Sequence, residues 1–75
     1  MTATIMLSTI NDVKKFVNVV GKYDFDIDLV SGRYAVDAKS IMGIFSLDLS
    51  KPIELRAHVE NNAPFEAEIE PFIVK

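Results

Sequence analysis

The spacing of apolar residues changes along this chain, and that change restricts the possible folds more than any other feature. Val13, Phe16, Val17 and Val20 recur at the spacing of one helix face. Over residues 25–29, apolar and acidic side chains alternate instead, which is the pattern of a half-buried strand. The chain is therefore expected to combine helices and strands within one fold.

The first helix has recognisable ends. Ser8 or Thr9 can begin it, because either hydroxyl can accept a hydrogen bond from a free amide of the first turn. Thr9 and Asp12 have the spacing of a capping box, with Asp in place of the usual Glu. Gly21 is predicted to end the helix in the left-handed conformation. A short strand is predicted before it, over residues 3–7, where Thr and Ile favour extended structure.

A hairpin, a second helix and a further strand are predicted next. Ser31 and Gly32 form the expected turn, and residues 34–38 then resume the alternation of the preceding strand. Ser40 is a good N-cap for a helix over residues 41–47. Residues 53–59 alternate between apolar and polar side chains more regularly than any other segment, which predicts a strand.

The last segment fits two structures. Phe65 and Ile69 suit an alternating strand, but they also suit a helix opened by Pro64 at its first position and ended by Pro71. We favour the short helix. The predicted order is then strand, helix, strand, strand, helix, strand, helix. It indicates an α+β sandwich with helices on one sheet face and water on the other.

Composition narrows the class of protein. The 75 residues, 49% of them hydrophobic, suffice for a single domain over 1–75, and the absence of cysteine excludes disulfides and thiolate metal sites. A net charge of −3 argues against nucleic acid as a partner. No stretch approaches the roughly 18 apolar residues of a membrane span. We therefore expect a cytoplasmic protein without a membrane partner or a cofactor.

Two segments carry a family resemblance. Residues 39–47 read KSIMGIFSL and residues 22–29 read KYDFDIDL. Both closely resemble the HPr family, the histidine-containing phosphocarriers of the bacterial sugar phosphotransferase system. The resemblance implies an open-faced βαββαβα sandwich with a four-stranded antiparallel sheet, in agreement with the order predicted above. It also implies a protein that takes part in sugar transport or its regulation and is not itself an enzyme.

The residues that this family uses for phosphoryl transfer are absent from their expected positions. The family carries a His at the start of the first helix, followed by Ala, Arg and Pro. Counting back from Ser40 without a gap places Thr9 at the His position, Asn11 at the Arg position and Asp12 at the Pro position. A threonyl phosphate is a stable ester that would trap the group. Asn11 lacks the planar cation that binds phosphate, and Asp12 repels it. We expect no catalytic residue here.

The resemblance implies regulatory phosphorylation at Ser40. In HPr of many Gram-positive bacteria, an ATP-dependent HPr kinase phosphorylates the matching Ser, and a catabolite-control regulator binds the product. One relative lacks the His and keeps this Ser. The positions of Ile41, Met42 and Phe45 correspond to family residues that contact protein partners. Alternatively, Ser40 is only a helix cap and the three apolar residues pack under loops.

The second-helix segment also has more apolar residues than one core face can readily bury. Ile44, Leu47 and Leu49 are predicted to join the core, which leaves Ile41, Met42 and Phe45 for an exposed patch.

The only histidine, His58, is expected on the polar sheet face with Glu54 and Arg56, and we assign it no role.

Asp24, Asp26 and Asp28 invite a metal interpretation. Alternate strand residues lie about 6.6 Å apart, too far to share one ion easily. We expect a solvated sheet face balanced by Arg33 or Arg56, with no metal.

Three functions follow. The preferred hypothesis is a regulatory protein modified at Ser40 and recognised by HPr kinase, a catabolite-control regulator or phosphotransferase components. A phosphocarrier with an unorthodox acceptor and an unphosphorylated adaptor are the alternatives.

Overall fold

The computed structural model describes residues 1–74. Within them, strands and helices follow one another in the predicted βαββαβα order, which confirms the α+β class. The elements are β1 (Thr2–Ile5), α1 (Ile10–Val20), β2 (Ile27–Ser31), β3 (Tyr34–Asp37), α2 (Ile41–Phe45), β4 (Ile53–Ala57) and α3 (Ala63–Ile69), and a 3₁₀ turn, Glu70–Phe72, follows α3.

The strands form one antiparallel sheet in the order β1-β4-β2-β3. The register aligns Ala3, Leu55, Leu29 and Val36 in one row across the sheet. Because neighbouring strand residues point to opposite faces, this row faces the helices and the next row faces water. β4 shows this alternation throughout, with Ile53, Leu55 and Ala57 buried and the residues between them exposed. The predicted open-faced sandwich is confirmed.

The core lies between the sheet and the helices, and every residue of 1–74 that is buried in it is apolar. Val13, Phe16 and Val20 of α1 are fully buried, as the helical spacing predicts. Phe65 and Ile69 anchor α3 in the same core. None of the helices within residues 1–74 has the length and apolar character of a membrane span.

The prediction for Gly21 is wrong. Gly21 has φ −65°, in the right-handed region. The Lys22 N–H donates to the Val19 carbonyl at 3.2 Å, and the Tyr23 N–H donates to the Val20 carbonyl at the same distance. These tightened turns satisfy the last carbonyls of α1, so no left-handed residue is required.

The hairpin turn lies one residue later than expected. Ser31 pairs with Tyr34, so Gly32 and Arg33 are the central residues. Gly32 has φ +59°, and it is the only residue among 1–74 with a positive φ. A positive φ at the first central position is typical of a type II′ turn, whose twist matches the flanking strands.

Element ends differ from the predictions by a few residues. β1 begins at Thr2 and ends at Ile5, where its pairing with β4 stops at Ile53. β2 begins at Ile27, β4 ends at Ala57 and α2 ends at Phe45.

The choice of a helix for the C-terminal segment is confirmed. The Phe65 N–H donates to Asn62 Oδ1 at 3.0 Å, which makes Asn62 the N-cap of α3. Pro64 therefore occupies the second position of the helix, after Ala63, and not the first. Pro71 lies in the 3₁₀ turn that replaces the α-helix after Ile69, since proline cannot donate the next helical hydrogen bond.

Candidate functional site

Ser40 caps α2, as predicted. Its backbone is extended, with φ −101° and ψ 107°, and its Oγ accepts a hydrogen bond from the Gly43 N–H at 3.2 Å. The residue is exposed to solvent. A Cβ on Gly43 would lie 3.3 Å from Ser40 Oγ and 3.3 Å from the Val36 Cβ of β3. The absence of a side chain at Gly43 therefore leaves room for the serine hydroxyl over the first turn.

Lys39 is adjacent to Ser40 in sequence but has its own partners. Its ammonium donates to the Tyr23 carbonyl at 2.6 Å, and its N–H donates to Asp37 Oδ1 at 2.8 Å. These bonds fix the approach to α2 from β3 and hold the lysine against the segment that follows α1. The cation nearest to Ser40 in sequence is thus engaged with a carbonyl oxygen.

The exposed apolar surface of α2 is formed mainly by two residues. Met42 is 76% exposed and Phe45 is 41% exposed. Ile41, predicted to lie in the same patch, is half-buried and packs against the core. Of the residues predicted for the core, Ile44 and Leu47 are buried, whereas Leu49 is half-buried at its edge.

The N-terminus of α1 is closed by its own side chains. Thr9 Oγ1 accepts a hydrogen bond from the Asp12 N–H at 3.0 Å, and Asp12 Oδ2 accepts one from the Ser8 N–H at 3.2 Å. The predicted capping box is present, with the return bond going to Ser8 and not to Thr9 itself. Asn11 is exposed in the first turn. The carboxylate of Asp12 complements the positive helix end and opposes the approach of another anion.

His58 lies at the other end of β1 from Thr9. β1 and β4 are antiparallel, with Thr2 opposite Arg56 and Ile5 opposite Ile53. His58, two residues after Arg56, therefore lies beyond the first residue of β1, whereas Thr9 follows the last residue of β1. The Ala57 N–H donates to the Met1 carbonyl at 2.9 Å, which fixes this end. At about 3.3 Å per residue, the length of β1 alone separates the two ends by roughly 13 Å. The imidazole therefore lies far from the amides of α1.

The partner of His58 is an acidic residue of the sheet. Nε2 lies 3.0 Å from Asp28 Oδ2; the His58 side chain is exposed, and that of Asp28 is half-buried. Arg56, expected to balance the aspartates, instead pairs with Glu54 on its own strand. Within residues 1–74, no group of three or more His, Cys, Asp or Glu residues is arranged to hold a metal ion.

One polar network was not visible in the sequence. Glu68 of α3 accepts a hydrogen bond from Lys22 Nζ at 2.8 Å and another from the Tyr23 hydroxyl at 2.6 Å. The hydrogen bond from Lys22, followed by that from Tyr23, lowers the pKa of Glu68 below its ordinary value. The hydrogen bond that the Tyr23 hydroxyl donates to Glu68 raises the pKa of Tyr23. Glu68 follows these partners by 46 and 45 residues, so no local pattern could reveal the contact.

A surface cavity of about 500 Å³ lies between α1 and the 3₁₀ turn. Its lining includes Asp12, Lys15 and Phe72. Neither Ser40 nor any of the α2 residues predicted to bind partners lines this cavity.

Comparison with known proteins identifies the family. The family model described as the PTS HPr component phosphorylation site matches residues 11–72, beginning two residues after Thr9. No curated protein matches the chain.

Solved structures agree in fold. HPr-C-His from Thermoanaerobacter tengcongensis is 25% identical with a TM-score of 0.79, over 97% of this chain and 90% of that one. The phosphocarrier protein HPr from Bacillus anthracis str. Ames is 22% identical with a TM-score of 0.66, over 95% of this chain and 89% of that one. The chain therefore belongs to the HPr phosphocarrier family of the phosphotransferase system.

Proposed function

We propose that this protein is a non-catalytic, regulatory member of the HPr family that acts through phosphorylation of Ser40 and not through histidine-based phosphoryl transfer. The observation that carries the proposal is the closed N-terminus of α1, where Thr9 and Asp12 cap the helix at the position expected for the family's His. The single histidine, His58, is held by Asp28 at the far end of the sheet.

The chemistry of the α1 terminus supports a loss of transfer. The Thr9 hydroxyl already accepts the Asp12 N–H, and its phosphate would be a stable ester. Asn11 supplies no charge to bind phosphate, and the Asp12 carboxylate adds repulsion at the point where a phosphoryl group would approach. The positions that carry His and Arg in the family therefore offer neither an imidazole for labile transfer nor a guanidinium to bind the phosphate.

The geometry of α2 supports Ser40 as the modified residue. A kinase would replace the O–H bond of the exposed Ser40 hydroxyl with an O–P bond, taking the γ-phosphoryl group of ATP, leaving ADP and releasing the hydroxyl proton. The new dianion would lie close to the Gly43 N–H, at the positive end of α2. Such a contact stabilises by about 0.3–1 kcal/mol. The positive end of α2 supports this site electrostatically.

The proposed recognition surface includes Ile41, Met42 and Phe45, which follow Ser40 directly on α2. A flexible Met and an aromatic ring are suited to contact with a protein partner. By family resemblance, the partners are HPr kinase, a catabolite-control regulator or phosphotransferase components. We place the protein in the cytoplasm, where these partners act, as a single domain over residues 1–75 that has no enzymatic activity of its own.

The test is phosphorylation by HPr kinase with ATP, read by intact mass and peptide mapping. The wild-type protein should gain one phosphoryl group on Ser40, and Ser40→Ala should gain none. Ser46→Ala is the matched control, because Ser46 is an exposed serine at the other end of α2, and it should be modified like the wild type. Absence of phosphate on Ser40 would reject the proposal.

A separate assay tests whether the protein accepts a phosphoryl group from the phosphotransferase system. Phosphoenolpyruvate and Enzyme I should leave the protein unlabelled. A label that passes on to a sugar permease would show that it is a phosphocarrier with an unorthodox acceptor.

The 76% exposure of Met42 favours a second candidate, an adaptor that binds its partner without modification. In that case Ser40→Ala should bind as tightly as the wild type. Phe45→Asp should lose binding while its circular dichroism stays unchanged.

A further inference from the structure

The sheet has one covered edge and one open edge. On the outer side of β1, the Val74 N–H donates to the Thr4 carbonyl at 2.9 Å, and Ile5 and Ile73 form an isolated antiparallel bridge. The chain therefore covers this edge with its own last described residues. β3 forms the opposite edge, and its only strand partner within residues 1–74 is β2. An unpaired edge is a template for pairing with another strand.

The backbone pattern shows which groups of β3 point outward. Ser31 and Tyr34 close a two-residue turn, so they form a hydrogen-bonded pair. Ala38 lies four residues after Tyr34, and its N–H donates to the Ile27 carbonyl at 2.9 Å. Every second residue of this strand therefore forms hydrogen bonds to β2. Tyr34 and Val36 therefore bond to β2, whereas the N–H and C=O groups of Ala35 and the N–H of Asp37 face the open edge.

From this edge we propose that two copies of the chain associate by antiparallel pairing of β3 with β3, with Ala35 of one copy opposite Ala35 of the other. In this register the outward N–H and C=O groups of the two Ala35 residues bond to one another. Arg33 of each copy lies opposite Asp37 of the other, and Tyr34 lies opposite Val36. The pairing would join the two sheets into one sheet of eight strands.

Charge complementarity supports this occupant and this register. Asp37 Oδ1 accepts the Lys39 N–H, while Oδ2 has no hydrogen-bond partner within residues 1–74. Opposite charges across paired strands are stabilising, whereas like charges are destabilising. The register that opposes Asp37 to its own equivalent is therefore disfavoured, and the register with both Arg33–Asp37 pairs is selected.

The aromatic residue on this strand supports the same contact. Tyr34 is 71% exposed in the single chain, a high value for a large ring on a strand. Placed opposite the β-branched Val36 of the second copy, it would lose part of that exposure. Ala35 between them has a small side chain and lets the backbones approach.

The first test follows association with the unmodified protein. Because the contact is one short strand, we expect it at millimolar chain concentration. The apparent mass should rise from that of one chain, 8.4 kDa, toward twice that value. Amide exchange measured by NMR should slow with concentration at Ala35 and Asp37. The amides of Tyr34 and Val36, already bonded to β2, serve as internal controls and should not change. Exchange at Ala35 that does not depend on concentration would overturn the proposal.

The second test exchanges the charges. Arg33→Asp and Asp37→Lys should each lose self-association, because each places like charges opposite one another. An equimolar mixture of the two variants should associate again, since every cross-strand pair is then of opposite sign.

A third variant guards against a local effect of Asp37→Lys on the turn before α2. Ala35→Pro removes only an outward N–H, so it should fold and remain monomeric. Association that persists in Ala35→Pro, or a mixture of the charge variants that stays monomeric, would also refute the pairing.

Discussion

Phe65→Ala should be among the most destabilising single substitutions in this protein. Phe65 is fully buried, and its ring lies 5.1 Å from the ring of Tyr23 and 5.2 Å from that of Phe25, both in edge-to-face geometry. Burying a Phe side chain contributes about 1.5–3 kcal/mol, and each aromatic pair adds about 0.5–1.5 kcal/mol. With the cavity that remains, the expected loss is about 3–5 kcal/mol.

Urea denaturation followed by circular dichroism measures this loss. A domain of this size has a total stability of roughly 4–11 kcal/mol, so the variant should be close to unfolding in buffer. Its thermal midpoint should fall by at least about 12 °C.

Phe45→Ala is the matched control, because it removes the same ring from an exposed position on α2. It should cost less than about 1 kcal/mol. Similar losses for the two variants, or a loss below about 1 kcal/mol for Phe65→Ala, would show that burial of the Phe65 ring does not anchor α3 to the core.

Three further substitutions test local features. Ser40→Ala removes the N-cap of α2 and should lower the free energy of unfolding by about 0.5–2 kcal/mol in urea. Gly32→Ala places a side chain at φ +59° and should cost about 1–2 kcal/mol, measured by thermal unfolding, whereas no loss would contradict the turn assignment. Lys22 and Tyr23 lower the pKa of Glu68, so its stabilising contribution is complete above the ordinary carboxyl pKa and is lost as pH falls through the lowered value. Glu68→Gln should lack this part of the acid sensitivity when urea unfolding is compared from about pH 6 to about pH 3.

Local signals predicted most of the secondary structure. The caps at Thr9 and Ser40 and the apolar spacing of α1 depend on residues within a few positions of one another, and all appear in the structure. The predicted position of the turn was wrong by one residue, because both Ser31-Gly32 and Gly32-Arg33 are plausible turn centres until the strand register is known. The prediction that Gly21 ends α1 in the left-handed conformation was wrong, because hydrogen bonds from the two following residues close the helix.

Contacts between distant segments could not be predicted from spacing. The pairing of Glu68 with Lys22 and Tyr23 and the cover that residues 72–74 give to β1 both join parts of the chain far apart in sequence. The exposure of α2 was predicted only in part, since Ile41 packs against the core while Met42 does not. Which side of a five-residue helix is exposed to solvent depends on how the helix packs over β3, and no local sequence pattern predicts that packing.

The central position of β4 sets the order in which this protein can fold. β1 and β2 lie on either side of β4 and do not pair with each other, so the sheet stays divided until residues 53–57 have been synthesised. Joining Thr2 to Arg56 closes a loop of most of the chain, and such long closures slow folding. A nascent chain that stops before Ile53 should therefore leave the apolar side of α1 uncovered on the ribosome, where chaperones bind.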